Sequence, residues 1–119
     1  MKINQPLHAA LLISNLEKSQ QFYSTVLGLE KLDRELKFPG IWYQIGNFQI
    51  HLILAATIIS NAINHEKLGR NRHLAFSVAN LEAAKKQLIA YNCPIQMSAS
   101  GRSALFTQDP DGNIIELSE

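Results

Sequence analysis

The hydrophobic positions of this chain recur in short segments that are separated by residues typical of turns. In residues 8–14 and 73–79, apolar side chains occupy every second position, which is the period of a β-strand with one buried face. Three further strand-like segments follow in each half of the chain, at residues 29–35, 40–46 and 48–55, and at 94–98, 102–108 and 113–119. The last two segments of each half are joined by IGNF and DPDG, whose Asn, Asp and Gly residues favour tight turns.

Each half also contains one helical segment directly after its first strand. The sequence Asn-Leu-Glu begins both segments, and Asn15 and Asn80 are predicted to cap the helices by accepting a hydrogen bond from a free backbone N–H. The first helix is predicted over about residues 16–27 and ends at Gly28, while the second is predicted over about residues 81–91.

The two halves are related by an offset of 65 residues. The stretch HAALLISNLE and the later stretch HLAFSVANLE share the skeleton His, six residues, Asn-Leu-Glu. The same offset aligns residues 50–52 with residues 115–117 without a gap, so that His51 corresponds to Glu116. Two matches in one register favour an internal duplication over coincidence.

The order β-α-β-β-β therefore occurs twice in a chain of 119 residues, a length that suits one domain and is too short for two full-sized ones. We predict an α+β fold in which two βαβββ modules form curved mixed sheets around a cleft. The single domain is predicted to comprise module 1 over residues 1–56, a linker without regular structure over residues 57–71, and module 2 over residues 72–119.

Strand parity predicts the direction of the polar side chains that the repeat relates. If the alternating apolar residues face the helices, the intervening His8, His51, His73 and Glu116 all lie on the opposite sheet face. The four side chains are then expected to meet in the cleft. The remaining histidine, His65, lies in the polar linker and is expected to be solvated.

Three imidazoles and a carboxylate are a suitable ligand set for a divalent Zn, Ni, Fe, Mn or Co ion. A single histidine on a strand is more often a hydrogen-bonded structural residue than a ligand. Four candidate ligands related by one internal symmetry reverse that preference. Burial of Glu116 among neutral groups without a cation would also be costly.

Composition narrows the expected partners and location. The net charge is +1, and the basic residues form no run that would follow a phosphate backbone, so nucleic acid is not an expected partner. Cys93 is the only cysteine, which fits a reducing compartment, and no apolar run is long enough for a signal peptide or a membrane span. We therefore expect a cytoplasmic protein without a membrane partner.

With these motifs in place, the chain resembles the vicinal oxygen chelate superfamily, which includes glyoxalases, bleomycin-resistance proteins and extradiol dioxygenases. The resemblance rests on HAALLISNLEKSQQFYSTVLGLE, QIHLI, RHLAFSVANLE and DPDGNIIEL, and it covers nearly the whole chain. It implies that the metal ligands are the same four residues, His8, His51, His73 and Glu116. It also implies a homodimer in which each metal site takes two ligands from each subunit, although closure of both halves within one chain is the alternative.

The resemblance implies a metal-dependent enzyme that chelates a small oxygenated substrate, with lyase or isomerase activity as the leading interpretation. Glu116 could then act as a general base next to a carbonyl group, or remain a ligand in a dioxygenase with two histidines and one carboxylate. His51 stands where glyoxalase I usually has Glu and where extradiol dioxygenases leave a place unfilled. A histidine ligand at this position therefore disfavours extradiol oxygen chemistry.

Two further functions remain open at this level. The stretch GRSALFTQDPDGN is similar to fosfomycin-resistance enzymes, where the arginine corresponding to Arg102 faces the phosphonate. Trp42 and Tyr43 alternate on one strand, so that one is expected to line the cleft for substrate while the other joins the core, and Gln49 is a further candidate substrate contact. The other alternative is a metal-free binding protein of the bleomycin-resistance kind, whose members generally lack the ligand set.

Overall fold

The structure is a computed structural model that describes residues 1–59 and 62–119. The chain divides into two compact units, Met1–Ile58 and Ile59–Glu119. No helix in these described ranges combines the length and the apolar character needed to cross a membrane.

The first unit contains one four-stranded sheet and one helical segment. Its elements are β1 (His8–Ile13), α1 (Leu16–Gln20), a π-helical continuation (Gln21–Val26), β2 (Glu30–Lys31), β3 (Gly40–Ile45) and β4 (Phe48–Leu54). The strand order is β1-β4-β3-β2, in which β1 and β4 are parallel and the other pairs are antiparallel.

The second unit repeats this arrangement. Its elements are β5 (His73–Ser77), α2 (Leu81–Ala90), β6 (Gln96–Met97), β7 (Ala104–Gln108) and β8 (Ile114–Ser118), preceded by a single 3₁₀ turn at Leu68–Arg70. The strand order is β5-β8-β7-β6, with β5 and β8 parallel. The predicted fold class of two βαβββ modules with mixed sheets is therefore confirmed.

The internal repeat is preserved in the strand registers. In the first unit Ala10 of β1 lies opposite His51 of β4, and in the second unit Ala75 of β5 lies opposite Glu116 of β8. Both pairs are related by the offset of 65 residues that the sequence shows. Each unit therefore presents its polar repeat residues on equivalent positions of a parallel strand pair.

The predicted helix caps are present in both units. The Oδ1 atom of Asn15 accepts a hydrogen bond from the Lys18 backbone at 2.9 Å, and the Oδ1 atom of Asn80 accepts one from Ala83 at 2.9 Å. The first helix widens into a π-helix before it ends at Gly28, which has a positive φ of 72°. This wider turn is marked by the Leu27 N–H group, which donates to the Phe22 carbonyl at 2.9 Å.

The core of each unit lies where alternating apolar residues of the sheet meet the helical segment. In the first unit Tyr23 and Tyr43 are fully buried, and their ring centroids lie 5.9 Å apart. In the second unit the opposite sheet face is also covered, because Ala62 and Leu68 are clustered with Phe106 and Ile114.

The segment at residues 62–71, which we call the strap, is more ordered than the predicted linker. The Asn71 side chain accepts from the backbone N–H groups of Ile63 and Asn64 and donates to the carbonyls of Asn64 and Leu68. Gln96 accepts from the Leu68 N–H group at 2.7 Å and donates to two further strap carbonyls. These amide side chains satisfy backbone groups that would otherwise need a strand or helix partner. The predicted linker also included Ser60 and Asn61, which lie outside the described residues.

Candidate functional site

In the first unit, His8 and His51 lie side by side on the sheet face that parity predicted. Their rings are stacked, with centroids 4.1 Å apart and an interplanar angle of 14°. His51 is buried at 7% exposure, whereas His8 is exposed at the sheet edge. The unit therefore brings together two of the four predicted ligands.

Trp42 and Arg34 extend this stack on the other side of His51. The Trp42 ring lies 3.5 Å from the His51 ring at an angle of 4°, and the Arg34 guanidinium carbon lies 4.0 Å above the Trp42 centroid. Tyr43, the next residue on β3, points the opposite way and hydrogen-bonds Ser24 at 2.7 Å inside the core. Of the two candidate substrate contacts on this strand, Tyr43 is therefore corrected to a core residue and Trp42 is the one on the polar face, because side chains alternate along β3.

A chain of hydrogen bonds through two glutamines fixes the proton on His51. The Gly46 carbonyl can only accept, so Gln44 turns its Nε2 toward it at 2.7 Å and its Oε1 toward Gln49, which donates at 2.8 Å. The Oε1 of Gln49 consequently faces the Nε2 of His51 at 2.8 Å. His51 must carry its proton on Nε2, and its Nδ1 atom keeps a lone pair.

His51 is also held in its neutral form. Burial, followed by repulsion from the neighbouring His8 and Arg34, lowers the pKa of His51 below its ordinary value. A neutral imidazole that donates a hydrogen bond through one ring nitrogen can bind a metal ion through the lone pair of the other.

His73 in the second unit has a comparable arrangement. Its Nδ1 atom lies 2.7 Å from the backbone carbonyl of Asn71, and because a carbonyl only accepts, Nδ1 carries the proton. The Nε2 atom therefore keeps its lone pair. The Phe106 ring packs edge-on against the imidazole with a centroid distance of 5.5 Å.

Glu116, on the neighbouring strand β8, forms an ion pair with Arg102. The Nη2 atom of Arg102 donates to the Oε1 atom of Glu116 at 2.7 Å. The Arg102 side chain is 56% exposed while that of Glu116 is 9% exposed, so the carboxylate is inside and the guanidinium reaches it from the surface. The same guanidinium donates through Nε to Ser100 at 3.2 Å.

These residues of the second unit line one cavity of about 550 Å³. His73, Arg102, Phe106 and Glu116 form part of its wall, and residues 66–67 and 69–70 of the strap contribute to the rest. A Cβ atom on Gly69 would lie 2.6 Å from the Phe106 ring, so only glycine lets the strap approach this closely. The cavity combines one apolar ring with several charged groups.

Several residues of the site were not found from the sequence. Arg34, Gln44 and Asn71 set the environment of the histidines, and they belong to segments without a repeat partner of the same type. The register of β3 against β4 places Gln44 opposite Gln49, and this pairing could have been predicted from the short turn between the two strands. Among the described residues, neither unit alone gathers three His, Cys, Asp or Glu side chains into a group that could hold a metal ion.

The fold and the polar face of each sheet define a protein made of paired βαβββ modules. The chain belongs to the Glyoxalase/Bleomycin resistance protein/Dioxygenase superfamily, which matches residues 5–117. This membership confirms the resemblance seen in the sequence.

Two curated relatives and one solved structure illustrate this similarity. A Vibrio cholerae protein named Probable lactoylglutathione lyase is 25% identical over 126 residues, covering 98% of this chain and 91% of its own. The human mitochondrial Methylmalonyl-CoA epimerase is 24% identical over 127 residues, covering 94% of this chain and 72% of its own. The crystal structure of a glyoxalase family protein from Enterococcus faecalis superimposes with a TM-score of 0.73 at 29% identity, covering 95% of both chains.

Proposed function

We propose that this protein is a metal-dependent lyase or isomerase that acts on a small oxygenated substrate. The observation that carries the proposal is the repeated register, which puts His8 beside His51 in one unit and His73 on the strand next to Glu116 in the other. The two relatives described above are named as a probable lactoylglutathione lyase and a methylmalonyl-CoA epimerase, which belong to these two reaction classes.

The proposed ligands are His8, His51, His73 and Glu116, and their chemistry fits a divalent ion. His51 and His73 each donate a hydrogen bond through one ring nitrogen. The lone pair of the other ring nitrogen is therefore available to bind a metal ion. Glu116 supplies the negative charge that a cation requires. A bound Zn, Ni, Fe, Mn or Co ion would act as a Lewis acid that stabilises negative charge developing on substrate oxygens.

Within this proposal, Glu116 gives up its place in the ligand set during turnover and is then the residue that moves a proton. Its carboxylate is buried beside a cavity of about 550 Å³, where it can accept a proton from a carbon next to a carbonyl group. Trp42 covers one face of His51 and limits the access of water to it. Gln49 has both ends of its amide engaged, so it serves as a positioning residue for His51 in place of the substrate contact predicted from the sequence.

The presence of a histidine at position 51 on β4 favours a lyase or isomerase over a dioxygenase. A histidine ligand on β4 fills a coordination position that oxygen chemistry would need to keep open. As the family resemblance implies, we propose a homodimer in which one subunit contributes His8 and His51 and its partner contributes the other pair. Closure of both units within one chain is the alternative. No residue pattern of this chain suggests a nucleic-acid partner.

The first experiment measures the metal content of the untagged protein by mass spectrometry, as isolated and after stripping and reloading with each candidate metal. We expect about one tightly held ion per chain. The Glu116→Gln variant should lose the tightly held ion and its turnover while remaining folded. Glu66→Gln is the matched control, because Glu66 lines the same cavity and is not a proposed ligand.

The outcome that contradicts the proposal is equally specific. Wild-type protein that takes up no metal under any loading condition would instead favour a metal-free binding protein. Unchanged metal affinity in Glu116→Gln would remove this residue from the ligand set. Retention of Fe(II) together with oxygen consumption would favour the dioxygenase.

A further inference from the structure

The ion pair between Arg102 and Glu116 joins the proposed metal ligand to one of the cationic side chains that line the cavity. The two groups meet at 2.7 Å through Nη2 and Oε1, and the guanidinium is the exposed partner. An exposed arginine is free to move at low cost, whereas the buried carboxylate is fixed on β8. The contact is therefore one that a competing cation can displace.

The charges around the cavity favour an anionic ligand. Among the described residues, Lys67, Arg70 and Arg102 line it together with only two carboxylates, Glu66 and Glu116. One of the three cations is neutralised by its contact with Glu116. Release of Arg102 from this contact would leave a guanidinium, whose fork of N–H donors suits a carboxylate or a phosphoryl group.

A metal ion bound to either oxygen of Glu116 would lie beside the Arg102 guanidinium, so the two cations would repel each other. We propose that a divalent cation and Arg102 compete for Glu116, so that cation binding releases the guanidinium to bind a small oxyanion in the cavity. The cation half of this inference rests on the proposed function, and it makes Arg102 a residue that couples metal binding to ligand binding. The Ser100 contact uses Nε of Arg102, so it can be kept while Nη2 changes partner.

The coupling has a thermodynamic consequence that can be measured without turnover. If the cation raises the affinity for the oxyanion by some factor, the oxyanion must raise the affinity for the cation by the same factor. The coupling arises because the Arg102 side chain changes its partner. Replacement of Arg102 should therefore abolish the coupling.

The first arm uses metal-free protein and inorganic phosphate as the probe, at constant ionic strength. Glu116→Gln removes the charge that holds Arg102, so phosphate should bind this variant on the order of tenfold more tightly than wild type by calorimetry. The gain should disappear in the double variant Glu116→Gln with Arg102→Gln. Glu66→Gln removes a charge from the same cavity without touching Arg102, and it should give a clearly smaller gain.

The second arm uses Zn²⁺ in competition with a chromophoric chelator. Arg102→Gln removes the competitor, so Zn²⁺ should bind on the order of tenfold more tightly than to wild type. Arg70→Gln is the matched control, since Arg70 lines the cavity and has no contact with Glu116 among the described residues. Phosphate should raise Zn²⁺ affinity in wild type and in Arg70→Gln, and it should do so much less in Arg102→Gln.

The two arms separate this inference from the proposed function. Equal phosphate affinity in metal-free wild type and Glu116→Gln overturns the role of Arg102. Equal Zn²⁺ affinity in Arg102→Gln and Arg70→Gln also overturns the role of Arg102. In that case wild type still binds Zn²⁺, so the proposed metal site is retained. Failure of wild type to bind any metal overturns the proposed function and the competition together, and a gain of phosphate affinity in Glu116→Gln would then show only a displaced ion pair.

Discussion

Trp42 lies flat against His51, with ring centroids 3.5 Å apart and only 4° between the two planes. The residue is also the only tryptophan of the chain. An indole in contact with a proposed metal ligand is a built-in optical reporter of that ligand. It allows the first unit to be studied without a substrate.

We predict that Ni²⁺ or Co²⁺ quenches the fluorescence of Trp42 when it binds. These open-shell ions accept excitation energy at short range, and His51 would hold them next to the indole. The titration should saturate at about one ion per chain. In His51→Gln the quenching should be lost, while Gln21→Glu, an exposed change on the first helix, should leave it intact. Equal quenching in His51→Gln would show that the ion binds elsewhere.

A second prediction concerns the glutamines that fix the proton on His51. Gln49→Leu removes the acceptor of the Nε2 proton, so the ring is no longer held with Nδ1 free. Loss of such a supporting partner typically costs about 10–100-fold in metal affinity, and we expect that range here. Gln44→Leu removes the next link and should cost less, because Gln49 keeps its contact with His51.

The measurement is Zn²⁺ competition on both variants, with Gln108→Leu on β7 as a control outside this chain of hydrogen bonds. A role limited to folding would lower the free energy of unfolding and leave Zn²⁺ affinity unchanged. That result would contradict the positioning role of Gln49.

The features that could be predicted from the sequence are those that depend on local pattern or on the repeat. The alternation of Ile50 and Leu52 on either side of His51 identified the polar face, and the Asn-Leu-Glu motif identified both helix starts. Parity could not decide between Trp42 and Tyr43, since either face of β3 could have been the buried one. The structure decides it through the contact of Tyr43 with Ser24.

The strap was missed for a different physical reason. Part of its order comes from side chains far away in sequence, such as Gln96, which meets Leu68 across 28 residues. Hydropathy describes each segment by its own composition, and the strap is polar apart from a few apolar residues. Contacts of this kind depend on how the chain returns to the sheet, which no local pattern contains. The pairing of Arg102 with Glu116 is another contact of this type.

A third prediction uses the buried hydroxyl of Tyr43. Burial raises the pKa of Tyr43 above its ordinary value, an effect that the hydrogen bond with Ser24 partly opposes. Above about pH 10 the unfolded chain releases this proton while the folded protein keeps it, so the unfolded state binds fewer protons. The free energy of unfolding should therefore fall as the pH rises above this value.

Urea unfolding at a series of alkaline pH values tests this effect. In Tyr43→Phe the free energy of unfolding should be lower by about 1 kcal/mol near neutral pH, because the hydrogen bond with Ser24 is lost. Its decline at alkaline pH should also be shallower than in wild type. Tyr91→Phe, at an exposed tyrosine, is the control, and an equally shallow decline in that variant would contradict the assignment.

A fourth prediction tests the close approach of the strap to β7. In Gly69→Ala the new methyl group would lie 2.6 Å from the Phe106 ring, and Phe106 is itself buried. Overpacking of this kind typically costs about 1–3 kcal/mol, so the free energy of unfolding should fall by that amount. Lys67→Ala changes an exposed strap residue and should cost much less. Full stability of Gly69→Ala would mean that the strap moves away from Phe106 without loss.

The last prediction decides whether the two ligand pairs of a metal site come from one chain or from two. The variant His8→Ala has a defective first unit and an intact second unit, and His73→Ala has the reverse. If the sites are shared in a dimer, a mixed dimer contains one site built from the two intact units. Random mixing makes about half of the dimers mixed, so about a quarter of all sites should bind metal tightly.

The control for this experiment is a mixture of His8→Ala with His51→Ala. Both changes lie in the first unit, so every site in the mixed dimer lacks one ligand and no tight binding should return. The readout is tightly held metal per chain after co-refolding, which needs no knowledge of the substrate. Closure of both units within one chain predicts no recovery in either mixture, because no single chain then has a complete ligand set. Recovery in the first mixture alone therefore requires that the His8 and His51 pair of one subunit meets the His73 and Glu116 pair of its partner.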